Sequence, residues 1–318
     1  MNTEPILIVA GEPKSIFFEI FFKTLDVKKF NSPIILICSK KLLKLQLNKA
    51  QLKKKIKLLD PSNLTLYKLN NDCINLINVD IRSTNKKKIS PNKYIEKCFK
   101  IAFQILRSKI TTKFINGPIS KKSFLNKKYL GMTEYISEQF TSKKTAMLIY
   151  NRNLSVSPIT THLPLKHVVK NINKKTIQEK IFLIYEFYKN KLGIKPRIAV
   201  LGLNPHCESI DKFNEDEKIL KPIIKRLIEK KYNISGPHSA DTIFLKNNRK
   251  KYDVVVGMYH DQVLTPIKTL YEFDAINITL GLPFIRVSPD HGPNVNMIGK
   301  NTSSPLSLIK AITFLDKN

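Results

Sequence analysis

The chain has no tryptophan, ten glycines and four cysteines in 318 residues. Cys38, Cys73, Cys98 and Cys207 are far apart and make no C-x-x-C pair. That argues against a disulfide framework and for a reduced, cytoplasmic protein. No apolar run approaches the roughly 20 residues of a membrane helix, and the strongest, around Ile16–Phe22, is broken by Glu19. Met1–Ala10 has no basic segment ahead of its short apolar run, so it does not read as a signal peptide. Neither G-x-G-x-x-G nor G-x-x-x-x-G-K-[ST] occurs, and there is no serine-centred nucleophile elbow. An ordinary Rossmann or P-loop nucleotide site is therefore unsupported.

Acidic residues are scarce as well. Asp and Glu number 25 against 55 Lys and Arg, a formal net charge of +30. Alone, this would suggest a polyanion partner. Only seven of the basic residues are arginines, however, and arginine is the side chain whose fork reads phosphates and base edges. The excess of Lys, Asn and Ile is what an AT-rich coding bias writes onto any soluble protein. We read the lysines as solvated faces and expect neither a specific nucleic acid nor a membrane as partner. A basic nucleic-acid-binding protein remains the alternative from a different class.

What is present reads as α/β. Length and 42% hydrophobic content suit two cores better than one. Short apolar runs (Ile6–Ala10, Pro33–Cys38, Thr145–Tyr150, Arg197–Leu203, Asp253–Met258, Ala275–Leu280) alternate with helical patterns (Ser15–Leu25, Lys40–Lys55, Asn92–Arg107, Lys174–Leu192, Asp216–Lys230, Pro305–Leu315). Gly193 is placed to stop the Lys174–Leu192 helix. Continuous apolar strands between helices predict layers around a mostly parallel sheet.

Three of the six histidines, His162, His206 and His260, each follow the end of a predicted strand. In open α/β sheets, ligands bind at that end. Three convergent imidazoles with open positions would make a catalytic site for a divalent ion. Their separations of 44 and 54 residues carry no local signature, and each could instead cap a neighbouring turn. His167 falls in a helical stretch and His238 in a Gly-Pro turn. Asn277 lies in an apolar strand and needs a partner. Arg286, also in apolar context, needs either an anionic ligand or an internal salt bridge. Gly281–Gly292 reads as an irregular site loop.

With these residues in hand, the chain resembles the 4-hydroxythreonine-4-phosphate dehydrogenase family of pyridoxal-phosphate biosynthesis. The matching motifs are Gly11-Glu-Pro13, Asn116-Gly-Pro-Ile-Ser-Lys121, Thr160-Thr-His-Leu-Pro-Leu165, Leu203-Asn-Pro-His206, Ala240-Asp-Thr-Ile-Phe244, Met258-Tyr-His-Asp-Gln262, Lys268 and Asn277-Ile-Thr-Leu-Gly-Leu-Pro-Phe-Ile-Arg286. They occur in order over nearly the whole chain. The resemblance implies two α/β/α domains flanking a cleft, like the isocitrate and isopropylmalate dehydrogenases, at 1–127 with 282–318 and at 128–281. It implies NAD or NADP, a divalent metal (zinc, magnesium or cobalt) and a homodimer with sites near the interface. Metal ligands carry over onto His162, His206 and His260. Substrate contacts carry over onto Thr133, Lys268, Asn277 and Arg286, and the cofactor side onto His291 and Gly292. Lys268 and Asp241 are the candidates for proton handling, and Asp261 either orients its neighbour His260 or caps a turn. Three stretches depart from the family: Lys14–Phe18, Met132 in place of a substrate-contacting histidine, and Pro293–Asn294. Met132 leaves open a different phosphorylated hydroxy acid of the phosphothreonate type, and a member without turnover is a third reading. With the usual substrate, Lys121 or Lys122 would supply the contact that the thioether cannot make.

Overall fold

A computed structural model describes residues 3–81, 89–120, 124–125, 129, 131–142, 144–289 and 291–317. Lys121, Lys122 and Asp290 lie outside the described residues. The strands are β1 (Ile6–Val9), β2 (Ile34–Cys38), β3 (Ile56–Leu58), β4 (Ile74–Asn78), β5 (Lys113–Asn116), β6 (Ala146–Tyr150), β7 (Ser155–Pro158), β8 (Ile198–Leu201), β9 (Ile234–His238), β10 (Val254–Gly257), β11 (Ile276–Leu280) and β12 (Ile285–Pro289). The chain divides into two compact units, Met1–Met132 with Pro283–Asn318, and Thr133–Leu282.

In the first unit the strand order is β3-β4-β2-β1-β5-β12, with every pair parallel. Nearly continuous burial along β1, β2 and β5 is what helices on both faces require. The helices Phe17–Val27, Pro91–Arg107 and Leu306–Lys317 bury apolar faces rich in aromatic residues, including Phe17, Phe21, Tyr94, Phe99 and Phe314. Two sequence expectations fail here. Within Gly281–Gly292, residues Ile285–Pro289 are not loop but β12, paired with β5 so that Arg286 stands opposite Phe114. The prolines that make the segment look irregular, Pro283 and Pro289, fall before the strand and at its last residue, where a missing N–H is tolerated. The basic helix expected over Lys40–Lys55 stops at Lys49, because Gln51 turns left-handed and β3 follows.

In the second unit the order is β11-β6-β7-β10-β8-β9. The pairs β7/β10, β10/β8 and β8/β9 are parallel, whereas β11/β6 and β6/β7 are antiparallel. Val156, Ala199, Leu201, Val255, Val263, Ile267 and their neighbours form one core. Gly236-Pro-His238 is not a turn but the end of β9. The Asp216–Lys230 helix is present, but it opens as a π-helical turn, Asp216–Leu220, before becoming α-helical.

The helix Lys174–Leu192 packs on β6 and β11 and has the bounds its periodicity predicts. Asn173 caps it by accepting from the Thr176 N–H, and Gly193 ends it with a left-handed φ of 70°. Ile177, Ile181, Ile184, Phe187 and Tyr188 are buried beneath it, each contributing about 1.5–3 kcal/mol when fully removed from water. Lys180 is half-buried on the same helix. Desolvation pushes its ammonium down to about 8, against the pull of the Glu134 carboxylate. Below that pH the lysine is charged both folded and unfolded, and the cost of burying the charge is felt in full. Between about 8 and the ordinary 10.5, the unfolded chain holds a proton that the folded chain has released, so stability rises with pH. Lys180→Met should therefore melt higher than the wild type at pH 7, with a gap that narrows from pH 8 to 10.5. A variant that melts lower at pH 7, or a gap independent of pH, would contradict this.

Candidate active site

Strands β7, β10 and β8 are adjacent and parallel, so their carboxyl ends lie on one edge of the second unit's sheet. His162, His260 and His206 follow those ends in turn. The rings of His162 and His260 have centroids 5.8 Å apart, inclined at 39°. His260 opens the helix His260–Tyr271, and its Nδ1 lies 2.7 Å from the Asp261 carboxylate. A carboxylate at Nδ1 fixes the proton there and leaves Nε2 as the lone-pair donor, the arrangement that metal-binding imidazoles use. His162 Nδ1 lies 4.0 Å from Glu134 Oε1, and that oxygen accepts from Thr161 Oγ1 at 3.4 Å. The other oxygen of Glu134, Oε2, is buried without a hydrogen-bond partner.

His206 sits apart from this pair. It is exposed, in the single 3₁₀ turn Pro205–Cys207. His206 and Cys207 are both left-handed, at φ 53° and 62°. Such conformations cost a non-glycine residue about 1–3 kcal/mol and persist only where surrounding contacts enforce them. Among the described residues, no group of three or more His, Cys, Asp or Glu side chains is gathered closely enough to hold a metal ion. His206 and Cys207 line a cavity of about 550 Å³ with Lys221, His238 and Tyr252. His238 is turned to structural use, with Nε2 2.8 Å from Ser235 Oγ and 3.1 Å from the Tyr252 hydroxyl.

The three histidine loops are tied together through the main chain of one residue, Met258. The Met258 carbonyl accepts from both the N–H and the hydroxyl of Thr160, at 3.1 and 2.8 Å. The Met258 N–H donates to Gln262 Oε1 at 2.7 Å, and Gln262 Nε2 donates to the Gly202 carbonyl at 2.8 Å. Sequence reasoning missed Glu134, Thr160 and Gln262 as site-building residues, although the last two lie inside the family motifs.

The remaining predicted residues are placed as follows. Thr133 is buried, with its hydroxyl 3.4 Å from that of Thr279. Asn277 lies two residues before Thr279 on β11, hence on the same face, and its Oδ1 is buried without a hydrogen-bond partner. Lys268 is exposed on the helix that His260 begins, and Asp241 is exposed in the short helix Ala240–Ile243. In the first unit, Arg286 is 3% exposed and its Nε donates to Asn116 Oδ1 at 2.8 Å. His291 Nδ1 lies 3.1 Å from the Gly292 carbonyl, and Gly292 is exposed. Met132 is buried at 6% exposure. No helix of the described residues is long and apolar enough to cross a membrane.

Comparison with known proteins places the chain in a family. The family model of the pyridoxal phosphate biosynthetic protein PdxA matches residues 29–315. A 4-hydroxythreonine-4-phosphate dehydrogenase from Sulfurihydrogenibium sp. is 38% identical over 315 residues, covering 96% of each chain. The solved structure of 4-hydroxythreonine-4-phosphate dehydrogenase from Klebsiella pneumoniae superposes with a TM-score of 0.82 at 26% identity, covering 98% of each chain. A β-decarboxylating dehydrogenase from Thermococcus kodakarensis, at 10% identity and a TM-score of 0.55 over 98% of this chain and 82% of that one, shares the fold. The chain belongs to the PdxA family of pyridoxal phosphate biosynthetic proteins.

Proposed function

We propose that this protein oxidises 4-phosphohydroxy-L-threonine with NAD⁺ or NADP⁺, giving 3-amino-2-oxopropyl phosphate, CO₂ and the reduced cofactor. The observation that carries this reading is the close pair His162–His260, on adjacent parallel strand ends in a chain of this family. The Asp261 contact leaves His260 with a free donor nitrogen, so the side chains suit a divalent ion, with His162, His260 and His206 as its ligands. When bound, the ion supplies Lewis-acid polarisation of the substrate's alcohol oxygen and the nicotinamide supplies the hydride acceptor.

The protein's own groups do the rest. Once the alcohol is oxidised, the carboxylate is β to a ketone, which accepts the electrons released with CO₂. Lys268 and Asp241 take and return protons at the substrate oxygen and at the carbon that loses CO₂. Thr133, Asn277 and Arg286 hold the carboxylate and phosphate, donating to the anionic oxygens through a hydroxyl, an amide NH₂ and a guanidinium. His291 and Gly292 stand on the cofactor side. The protein works as a homodimer. Ile210, Phe213, Leu165 and Val169 are exposed in the segments that follow His206 and His162, giving a second copy an apolar surface beside both histidine loops. Such a copy brings the exposed His206 to the His162–His260 pair.

Protein stripped with a chelator should regain turnover of this substrate on addition of Zn²⁺, Co²⁺ or Mg²⁺. His162→Ala, His206→Ala and His260→Ala should each lower kcat by orders of magnitude. Full activity and metal content in His206→Ala would refute the ligand assignment. Arg286→Ala should raise KM roughly ten- to a hundredfold, the equivalent of about 1.5–3 kcal/mol for a charge-assisted hydrogen bond. A lower melting temperature with unchanged KM would make Arg286 an internal salt-bridge partner. Met132→His should leave kcat/KM on 4-phosphohydroxy-L-threonine similar or modestly raised. A wild type without turnover that is rescued by the histidine would reassign the substrate to another phosphorylated hydroxy acid.

A further inference from the structure

The turn that carries His206 is strained, and one side chain outside the motifs quoted above holds it. Asp216 is completely buried. Its Oδ1 accepts from the Leu203 N–H at 2.8 Å, and its Oδ2 accepts from the Asn204 N–H at 3.0 Å and from Asn204 Nδ2 at 2.9 Å. All three donors belong to the two residues that lead into Pro205–Cys207. Asp216 is itself fixed: its N–H donates to Asn214 Oδ1 at 2.9 Å, and it begins the π-helical turn Asp216–Leu220. Such turns are frequent at functional sites. Gly202 completes the fit. A Cβ there would stand 2.9 Å from Asp216 Oδ1 and 2.6 Å from Cys207 Sγ, so only glycine lets the carboxylate and the turn close on the end of β8.

We propose that Asp216 is the positioning residue of His206: its buried carboxylate clamps Leu203 and Asn204 so that the chain must pass through the left-handed His206–Cys207 turn and present the imidazole outward. A buried carboxylate is costly unless its lone pairs are occupied. Here they are occupied by the backbone that sets the histidine's direction, and the clamp tolerates no slack. The inference rests on His206 being a metal ligand.

The clamp can be tested on metal binding, separately from turnover. Asp216→Asn keeps the volume but turns one acceptor oxygen into an NH₂ group facing N–H donors. In chelator-stripped protein, calorimetric titration with Zn²⁺ or Co²⁺ should show affinity lowered by about 10- to 100-fold, the usual cost of losing a group that orients a ligand. Asn204→Ala, at a half-buried position, should show a smaller loss in the same direction, and it carries the test if Asp216→Asn does not fold. His206→Ala sets the scale. Tyr188→Phe, which removes the buried hydrogen bond to Ser155 Oγ in the same unit, should lower the melting temperature and leave affinity unchanged, separating lost stability from lost positioning. Unchanged affinity in the clamp variants beside weakened binding in His206→Ala would overturn the proposal. Unchanged affinity in His206→Ala would overturn the metal reading beneath it.

Discussion

The main chain of Met258 is the constraint on which the candidate site depends. Its carbonyl holds Thr160, two residues before His162, and its N–H holds Gln262, two residues after His260. Gln262 then reaches the carbonyl of Gly202 at the end of β8. Three loops from three strands are thus fixed to one another before any ligand arrives. Side-chain amides bonded to buried backbone groups make firm ties, because each lost bond would leave a buried donor or acceptor unsatisfied, at a cost of about 1–3 kcal/mol. Preorganisation of this kind lets imidazoles bind an ion without first spending binding energy on ordering loops.

Charge is distributed against the protein's overall sign at this edge. The chain carries +30, yet the groups beside the histidines are the carboxylates of Glu134 and Asp261, with Asp216 behind the third loop. Each sits where it can orient an imidazole or the backbone carrying one. Many of the described lysines lie on exposed faces. A net charge describes solubility and loose association with polyanions; the chemistry follows from a few carboxylates placed against that background.

Much of this was legible in the sequence, for physical reasons that differ by element. Helix Lys174–Leu192 could be read to the residue because its apolar period and its Gly193 stop agree, and the structure adds the Asn173 cap. The three histidines could be read because strand ends are visible as the point where an apolar run stops. β12 could not: its prolines look like loop, and only the neighbouring β5 shows that they fall before the strand and at its end. The clamp residues were equally hidden. Asp216 acts on residues more than ten positions away, and Gln262 acts on a different strand end. Nothing local distinguishes such a carboxylate or amide from a solvated one until the partners are in place.

The proposed chemistry couples oxidation to loss of the carboxyl group at one site. The most direct measurement follows both products when metal-loaded protein is given 4-phosphohydroxy-L-threonine labelled in its carboxylate, with NAD⁺ or NADP⁺ in excess. One labelled CO₂ should be released for every reduced nicotinamide formed, with no reduction when the substrate is withheld. Reduced nicotinamide without matching CO₂, or no reduction with either cofactor, would contradict it.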